Sequence, residues 1–398
     1  MGNWIKCKIS DLGTVVGGAT PSTKNPANYE NGTIPWITPK DLSGFSGRFI
    51  KRGERNITEF GLNSCSTQLL PKNSVLFSSR APIGYIAIAE NAVCTNQGFK
   101  SVVPNQNTDY MFLYYLLLYN KESIEYMGSG TTFKEVSGTT MKNIDVYVPE
   151  DIEEQRKIAH ILSRIDEKIE NNNAINDNLA EQSQGILKEY MDEYPYDLQP
   201  LSEIAEVIDC LHSKKPVAVE DSTFQLIQLG NIRDDGFLDM SACKYMISNS
   251  DYNNWTRKCE IVEGDCVITN VGRIGAVSQA PFGTKAAMGR NMTCIRLKSN
   301  ITLFAYLITV MLSKHMRRQI QSNTDEGTIM GALNVKNIPN LLIPMFESKK
   351  LDELESLLLP LRKQIEYNNL QNQSLSQLRD TILPKLLSGE IDVTEINN

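Results

Sequence analysis

Two long segments of the chain share one alternation of apolar and polar positions. Apolar residues recur at steps of four and three, which places them on one seam of an α-helix in a coiled coil. The segments span residues 158–190 and 354–386, an offset of 196 positions. The pattern predicts two long helices with matched seams: Ile158, Leu162, Ile165, Ile169, Asn172, Asn176, Leu179, Ser183, Ile186 and Tyr190 in the first, and Leu354, Leu358, Leu361, Ile365, Asn368, Asn372, Leu375, Arg379, Ile382 and Leu386 in the second.

Both seams carry two asparagines at corresponding places, Asn172 and Asn176 in the first and Asn368 and Asn372 in the second. A polar residue in such a seam costs stability but fixes the register and the partner. The sequence therefore specifies one alignment of the two helices.

The segments outside the helices repeat as well. SVLFSSRAPIG at residues 74–84 corresponds to DCVITNVGRIG at residues 265–275. Each copy contains short β-rich runs, at residues 74–77 and 85–89 in the first and 266–269 and 293–297 in the second. Each then shows one long apolar helical pattern, at residues 109–127 and 301–321. The repeat predicts two tandem modules with internal pseudo-two-fold symmetry.

The domain boundaries follow from prolines at the ends of the globular parts. A strand is expected to end at Pro149 and another at Pro344, just before each long helix starts. We predict an α+β fold in which two β-rich α/β domains are separated by long helices. The predicted segments are a first domain at 1–149, a helix at 150–192, a second domain at 193–344, a helix at 345–387 and a tail at 388–398.

The acidic charge lies in the helices and not in the domains. Of the net charge of −7, residues 151–196 carry −6 and residues 346–398 carry −3, whereas residues 1–150 carry +2 and residues 197–345 carry 0. Because acid is repelled by phosphate, the helices are expected to face other proteins, or else merely to be solvated. The acidic residues expected on exposed faces are Glu153, Glu154, Asp166, Glu170, Glu181, Asp352, Glu353, Glu355 and Glu366.

Several classes of protein are disfavoured. No apolar run approaches the ~20 residues that span a bilayer, and the N-terminus lacks an apolar signal core, so a cytoplasmic location is expected. The eight cysteines form no CxxC pair and the three histidines are scattered, so we expect buried thiols and no metal site. Methyltransferase, phosphate-loop and nuclease motifs are not found, which predicts a non-catalytic chain without a cofactor.

Three segments carry a family resemblance: GGATPSTKNPANYENGTIPWITPKDL at 17–42, EEQRKIAHILSRIDEKIENNN at 153–173 and LPKLLSGEI at 383–391. Together they resemble the specificity subunit of type I restriction and modification systems, over nearly the whole chain. The resemblance implies that each domain is a target recognition domain reading half of a bipartite double-stranded DNA site. It also implies that the two helices pair antiparallel as a spacer.

The resemblance further implies partner subunits. Two modification subunits, which hold S-adenosylmethionine, are expected to dock on this chain, and two motor and nuclease subunits, which use ATP and Mg²⁺, are expected to complete the restricting complex. Two alternatives stay open. One is a related system whose methylase and nuclease are fused in one polypeptide, and the other is a coiled-coil scaffold that binds no nucleic acid.

Candidate DNA contacts were chosen by side-chain chemistry. Arg, Lys, Asn and Gln read base edges in the major groove, and Lys, Arg and small hydroxyls on loops bind phosphates. The polar loops of the first domain supply Thr20, Ser22, Lys24, Thr38, Lys40, Ser78, Ser79, Arg80, Asn96, Gln97, Lys100, Thr132 and Lys134. The loops of the second supply Ser213, Lys214, Lys215, Gln228, Asn231, Arg233, Thr269, Asn270, Arg273, Arg290, Asn291 and Thr328.

Overall fold

The structure is a computed structural model that describes residues 3–80, 82–129, 134–325 and 331–393. Contacts divide the chain into two compact units, residues 1–170 with 374–398, and residues 171–373. Each unit therefore contains one globular domain together with part of both long helices.

The first unit is built mainly from short strands. Its elements, with the first long helix α6 that continues into the second unit, are β1 (Trp4–Lys8), α1 (Ile9–Leu12), β2 (Gly13–Gly17), β3 (Ile34–Ile37), β4 (Phe49–Ile50), β5 (Arg55–Ile57), α2 (Glu59–Asn63), β6 (Val75–Phe77), β7 (Ile86–Ala89), β8 (Cys94–Thr95), β9 (Lys100–Pro104), α3 (Tyr110–Tyr119), α4 (Lys121–Tyr126), α5 (Gly138–Lys142), β10 (Asp145–Pro149) and α6 (Ile152–Glu193).

The second unit follows the same plan. Its elements, with the second long helix α10 that ends in the first unit, are β11 (Asp197–Pro200), β12 (Ala205–Asp209), β13 (Phe224–Ile227), β14 (Met246–Ile247), α7 (Asn249–Trp255), β15 (Glu260–Val262), β16 (Cys266–Thr269), β17 (Val277–Gln279), β18 (Lys285–Met288), β19 (Met292–Leu297), α8 (Phe304–Met311), α9 (Lys314–Ser322), β20 (Thr324–Asp325), β21 (Ala332–Leu333), β22 (Leu342–Met345) and α10 (Ser348–Leu387).

The sheets of the two domains share most of their strand order. The order β2-β9-β6-β7 of the first domain matches β12-β19-β16-β17 of the second, and β5-β3-β8 matches β14-β13-β18. In the second sheet of each domain one pairing, β3 with β8 and β13 with β18, is parallel. The sequence repeat therefore reflects one domain topology used twice.

Each domain shares its apolar core with the long helices. In the first unit, Ile158 and Leu162 of α6 and Leu386 of α10 lie in one buried cluster with the side chains of α3. In the second unit, Leu187 of α6 and Leu354 of α10 pack in the same way with α8. Burial of these seam residues therefore helps to hold each domain on the helices.

The four seam asparagines form two buried hydrogen-bonded pairs in the second unit. Asn172 donates to Asn372 and Asn368 donates to Asn176, each over 2.8 Å. A shift of 196 positions exchanges these two bonds, because residue 172 corresponds to 368 and residue 176 to 372. The residue number increases along one helix as the number of its partner decreases along the other, so the helices pack antiparallel. These asparagine pairs favour this register over neighbouring ones.

The first domain is fixed to the helices by charged groups. Arg48 is 5% exposed and donates from Nε and Nη2 to the carboxylate of Glu170, over 2.9 and 2.8 Å. Asp166 accepts from the hydroxyl of Tyr115 at 2.7 Å and from Nη1 of Arg379 at 2.9 Å. Burial opposes the charge of Arg48, but its hydrogen bond to Glu170 helps to raise the pKa of the guanidinium.

The second domain is fixed to the helices through its own uncharged groups. Arg362 is 8% exposed and donates to the side-chain oxygen of Gln279 at 3.0 Å and to the carbonyl of Gly236 at 2.6 Å. The carboxylate of Glu355 accepts from the amides of Ala305 and Tyr306 in the first turn of α8, at 3.0 and 2.7 Å. Burial lowers the pKa of Arg362 and raises that of Glu355.

Two groups of expectations need correction. Glu154, Asp166 and Glu355 are only 6 to 7% exposed, so the prediction that they face outward is wrong. They are buried because their partners come from segments distant in sequence.

The helices predicted at 109–127 and 301–321 are each divided into two helices. Asn120 caps the end of α3 by donating to the Leu116 carbonyl, and Ser313 caps the start of α9. The strands predicted at 74–77 and 266–269 are confirmed.

No helix among the described residues is long and apolar enough to cross a membrane.

Candidate nucleic-acid interface

Three candidate loops of the first domain meet where the parallel strands β3 and β8 end. The amide of Asn96 donates to the carbonyl of Ile37 at 3.0 Å, and the hydroxyl of Thr20 donates to the side chain of Gln97. A Cβ at Gly18 would lie 2.2 Å from the carbonyl oxygen of Asn96, so only glycine permits this approach. The glycine-rich start of the domain thus brings Thr20 beside Gln97.

The turn after β3 presents one lysine. Oδ2 of Asp41 accepts from the amide of Thr38 at 2.7 Å and from its hydroxyl at 2.6 Å, which closes the turn internally. Lys40 points outward and pairs with the exposed Glu54 at 2.8 Å. Such an exposed pair holds weakly, so the Lys40 ammonium is available to a phosphate.

A second group of candidates surrounds Glu135. Its carboxylate pairs with Arg80 at 3.0 Å and with Lys100 at 3.4 Å. The amide of Val136 donates to the Ser79 carbonyl at 2.9 Å, which ties the loop at 78–80 to the segment that carries Lys134. Glu135 holds both cations beside one another and offsets part of their charge.

The loops of the second domain converge in the same way. The amide of Gln228 donates to Oδ1 of Asn231 at 2.8 Å, which repeats the turn closed by Asp41. The amide of Asn270 donates to the carbonyl of Asn291 at 2.8 Å and joins the next two loops. The duplicated topology therefore places the candidate segments at equivalent strand ends.

The arginines in these loops of the second domain are paired with nearby acids. Arg233 pairs with Asp235, and Arg273 donates to the Ile232 carbonyl at 3.0 Å and pairs with Asp234 at 2.5 Å. These contacts orient the guanidinium groups while leaving Arg273 half exposed.

The structure divides the predicted contact residues by exposure. The exposed residues are Thr20, Ser22, Lys24, Lys40, Arg80, Gln97, Lys134, Ser213, Lys214, Lys215, Arg273, Arg290 and Asn291. Partly buried are Thr38, Asn96, Lys100, Gln228 and Arg233. Thr132 and Thr328 lie outside the described residues.

Five predicted contacts are buried and bond within their own domain: Ser78, Ser79, Asn231, Thr269 and Asn270. Ser78 donates to the Pro82 carbonyl at 2.8 Å, Asn231 to the Asp239 carbonyl at 2.7 Å and Asn270 to the Thr293 hydroxyl at 2.9 Å. Buried polar groups in loops satisfy the backbone around them. Their burial therefore disfavours a direct contact of these five side chains with DNA.

Trp36 packs its loop and offers no stacking surface. It is 5% exposed, its Nε1 donates to the Ala19 carbonyl at 3.1 Å, and Tyr29 meets its ring edge-on at 6.1 Å. Lys215, in contrast, lies on the outer surface with its ammonium 3.7 Å from the centre of the Tyr245 ring. This cation–π contact orients a lysine that is otherwise free to reach solvent.

Helix α9 carries cations that were not among the predicted contacts. Lys314, Arg317 and Arg318 are exposed, whereas Met316 and Ile320 of the same helix are buried. The signal in the sequence is a nine-residue segment with three cations and no acid.

Two clusters of metal-ligand residue types occur among the described residues. One is Asp209, Cys210 and His212, and the other is Cys259, Asp265 and Cys294. In the first, Asp209 is bonded to His212 at 2.8 Å. In the second, Asp265 forms a salt bridge with Arg296 at 2.5 Å, so its carboxylate is already paired with a positive charge.

Comparison with known proteins connects this architecture to one family. Residues 1–181 match the family model described as the type I restriction modification DNA specificity domain. The MjaIX specificity subunit of a type I restriction enzyme from Methanocaldococcus jannaschii is 31% identical over 420 residues, covering 99% of this chain and 95% of that protein. The EcoR124I/EcoR124II specificity subunit from Escherichia coli is 30% identical over 197 residues, covering 48% of this chain and 46% of that protein.

A solved structure shows the same fold. The S subunit of a type I restriction–modification system from M. genitalium matches with a TM-score of 0.57 and 18% identity, over 97% of this chain and 96% of that one. The MjaIX relative confirms the family expected from residues 17–42, 153–173 and 383–391, and the solved structure confirms the predicted fold class. With one relative similar along almost all of both chains, this protein belongs to the family of type I restriction enzyme specificity subunits, which are non-catalytic.

Proposed function

We propose that this chain binds a bipartite double-stranded DNA target and that each domain reads one half-site. The observation that carries the proposal is the repeated topology, which presents equivalent loops at equivalent strand ends in both domains. Two readers of similar build suit a target with two separate specific segments.

The exposed side chains supply the required chemistry. Gln97 in the first domain and Asn291 in the second offer a donor and an acceptor on one side chain, and Arg80 and Arg290 offer forked donors to guanine. Lysines such as Lys40 and Lys214 supply the sequence-independent attraction to phosphates. The few side chains that read bases then supply specificity, and the phosphate contacts supply most of the affinity.

The chain is proposed to act through partner subunits. Methyl transfer and cleavage belong to two modification and two restriction subunits, which hold S-adenosylmethionine, ATP and Mg²⁺, while this chain holds no cofactor. The acids that stay exposed on the long helices, among them Glu153, Glu181 and Asp352, are available to basic surfaces of such partners.

The test is to co-express the chain with the modification subunit of its system and to sequence the modified adenines of the host genome. We expect a split motif with two specific segments and a spacer of fixed length, and no modification when the chain is omitted. An unbroken motif, or modification that does not need this chain, would contradict the proposal.

A further inference from the structure

The cationic face of α9 has no counterpart in the first domain. Lys314, Arg317 and Arg318 are spaced three and four apart, so they share one side of the helix. The corresponding helix of the first domain, α4, carries Lys121 together with Glu122 and Glu125. The second domain therefore has an additional charged surface that the repeat does not explain.

Among the side chains that the structure describes, which exclude Asp325 and residues 326–330, no carboxylate lies within 4.0 Å of Lys314, Arg317 or Arg318. Met316 and Ile320 bury the opposite side of α9 at 0 and 4% exposure, which anchors the helix and directs the cations outward. A fixed helix that carries three exposed cations is a preformed site for an extended anion.

A groove joins α9 to one of the candidate DNA loops. It has a volume of about 510 Å³ and is lined by Arg273 and Gly275 from the β16–β17 turn and by Arg317 and Gln321 from α9. Asp234 also lines it but is already paired with Arg273. An anion that reaches Arg273 along this surface meets Arg317 next.

We propose that α9 binds the sugar–phosphate backbone of duplex DNA beside the half-site read by the second domain. The inference rests on the proposed function, because it assigns α9 to the same ligand. Lys314, Arg317 and Arg318 contact phosphates, so they raise affinity without reading sequence. Binding by the second half of the chain is consequently more dependent on salt than binding by the first.

The test uses the full-length chain and the duplex that it selects from a randomised 40-base-pair pool. In the variant K314Q/R317Q/R318Q, we expect about ten- to hundredfold weaker binding near 0.15 M KCl and a slope of log affinity against log salt smaller by roughly 2 to 3, at ~0.9 per phosphate. The half-site sequences that the variant selects should be unchanged. Fluorescence anisotropy from 50 to about 300 mM KCl measures the slope.

Two matched variants separate the explanations. K285Q/K349Q/K363Q removes the same charge from exposed lysines of the same unit and should leave the slope near that of the wild type. R317K/R318K keeps the charge and should retain the slope. Equal slopes for the α9 variant and the matched variant would overturn the inference, as would a changed half-site or a defect confined to assembly with the modification subunit. A wild-type chain that selects no duplex would instead refute the proposed function.

Discussion

The two domains share a topology but are attached to the long helices by opposite chemistry. At corresponding positions, 196 residues apart, the first copy has Asp166 and the second has Arg362, and both are buried. Asp166 accepts hydrogen bonds from Tyr115 and Arg379, whereas Arg362 donates hydrogen bonds to Gln279 and Gly236. The apolar seam was conserved between the copies while the polar anchors diverged.

The two domains also differ in how the first turn of the corresponding helices α3 and α8 is capped. In the first domain α3 is capped by its own Asp109, whose Oδ1 accepts from the Phe112 amide at 2.9 Å. In the second, α8 has no side-chain cap of its own, and Glu355 from α10 takes that place. The start of α8 thus depends on a long helix, and the start of α3 does not.

Each domain is complementary only to its own stretch of the long helices. Placed against Asp166, the Gly236 carbonyl and the Gln279 oxygen would face a carboxylate, and buried acceptors without donors are costly. A domain moved to the other position would therefore need its anchor residue moved with it.

The largest expected effect comes from reversing the anchor of the second domain. Arg362→Asp buries a carboxylate against two acceptor oxygens and should lower the free energy of unfolding by about 3 to 5 kcal/mol. Arg362→Met leaves the acceptors unpaired but buries no charge, so it should cost less. Urea unfolding of the full-length chain measures both. An Asp variant as stable as the Met variant would show that charge at this position does not matter.

A smaller effect should distinguish two buried tyrosines in corresponding helices. Tyr115→Phe removes a donor to the charged Asp166, which should cost roughly 1.5 to 3 kcal/mol, whereas Tyr306→Phe removes a donor to the neutral Pro344 carbonyl and should cost roughly 0.5 to 1.5 kcal/mol. Urea unfolding again supplies the measurement. A reversed order would mean that Asp166 is not the dominant anchor of the first domain.

The smallest expected effect is a dependence on pH. Because burial raises the pKa of Glu355 above its ordinary 4.5, the folded chain binds this proton more tightly than the unfolded chain. Its contribution to stability is complete below the ordinary pKa and is lost as the pH rises through the folded value. Glu355→Gln should remove this fall from the unfolding midpoints measured as the pH is raised from below the ordinary pKa of 4.5.

Glu353 provides the matched control for that experiment. A hydrogen bond to Lys350 lowers its pKa, so its contribution has the opposite sign and grows as the pH rises. Glu353→Gln should therefore leave the fall due to Glu355 in place. Identical pH profiles for the wild type and the Glu355 variant would contradict the assignment.

The sequence predicted the features that depend on periodicity. The seam positions and the central strands follow from residues near one another in the chain, and the asparagine register follows from the 196-residue repeat. Burial of single polar residues could not be predicted, because Ser78 and Lys40 both occur in polar loops and only the packed fold shows that Ser78 is enclosed. Asp166 was misplaced for the same reason, since Tyr115 and Arg379 lie 51 and 213 residues away.

The central claim is that each domain reads its own half of the DNA target. It is tested most directly by selecting duplexes from a randomised pool with the wild-type chain, with R80A/Q97A and with R290A/N291A. A true base contact contributes roughly 1 to 3 kcal/mol of discrimination, so each variant should relax the selected sequence by a detectable amount. We predict that R80A/Q97A relaxes one half-site only and R290A/N291A relaxes only the other. Relaxation of both halves by either variant would contradict the claim.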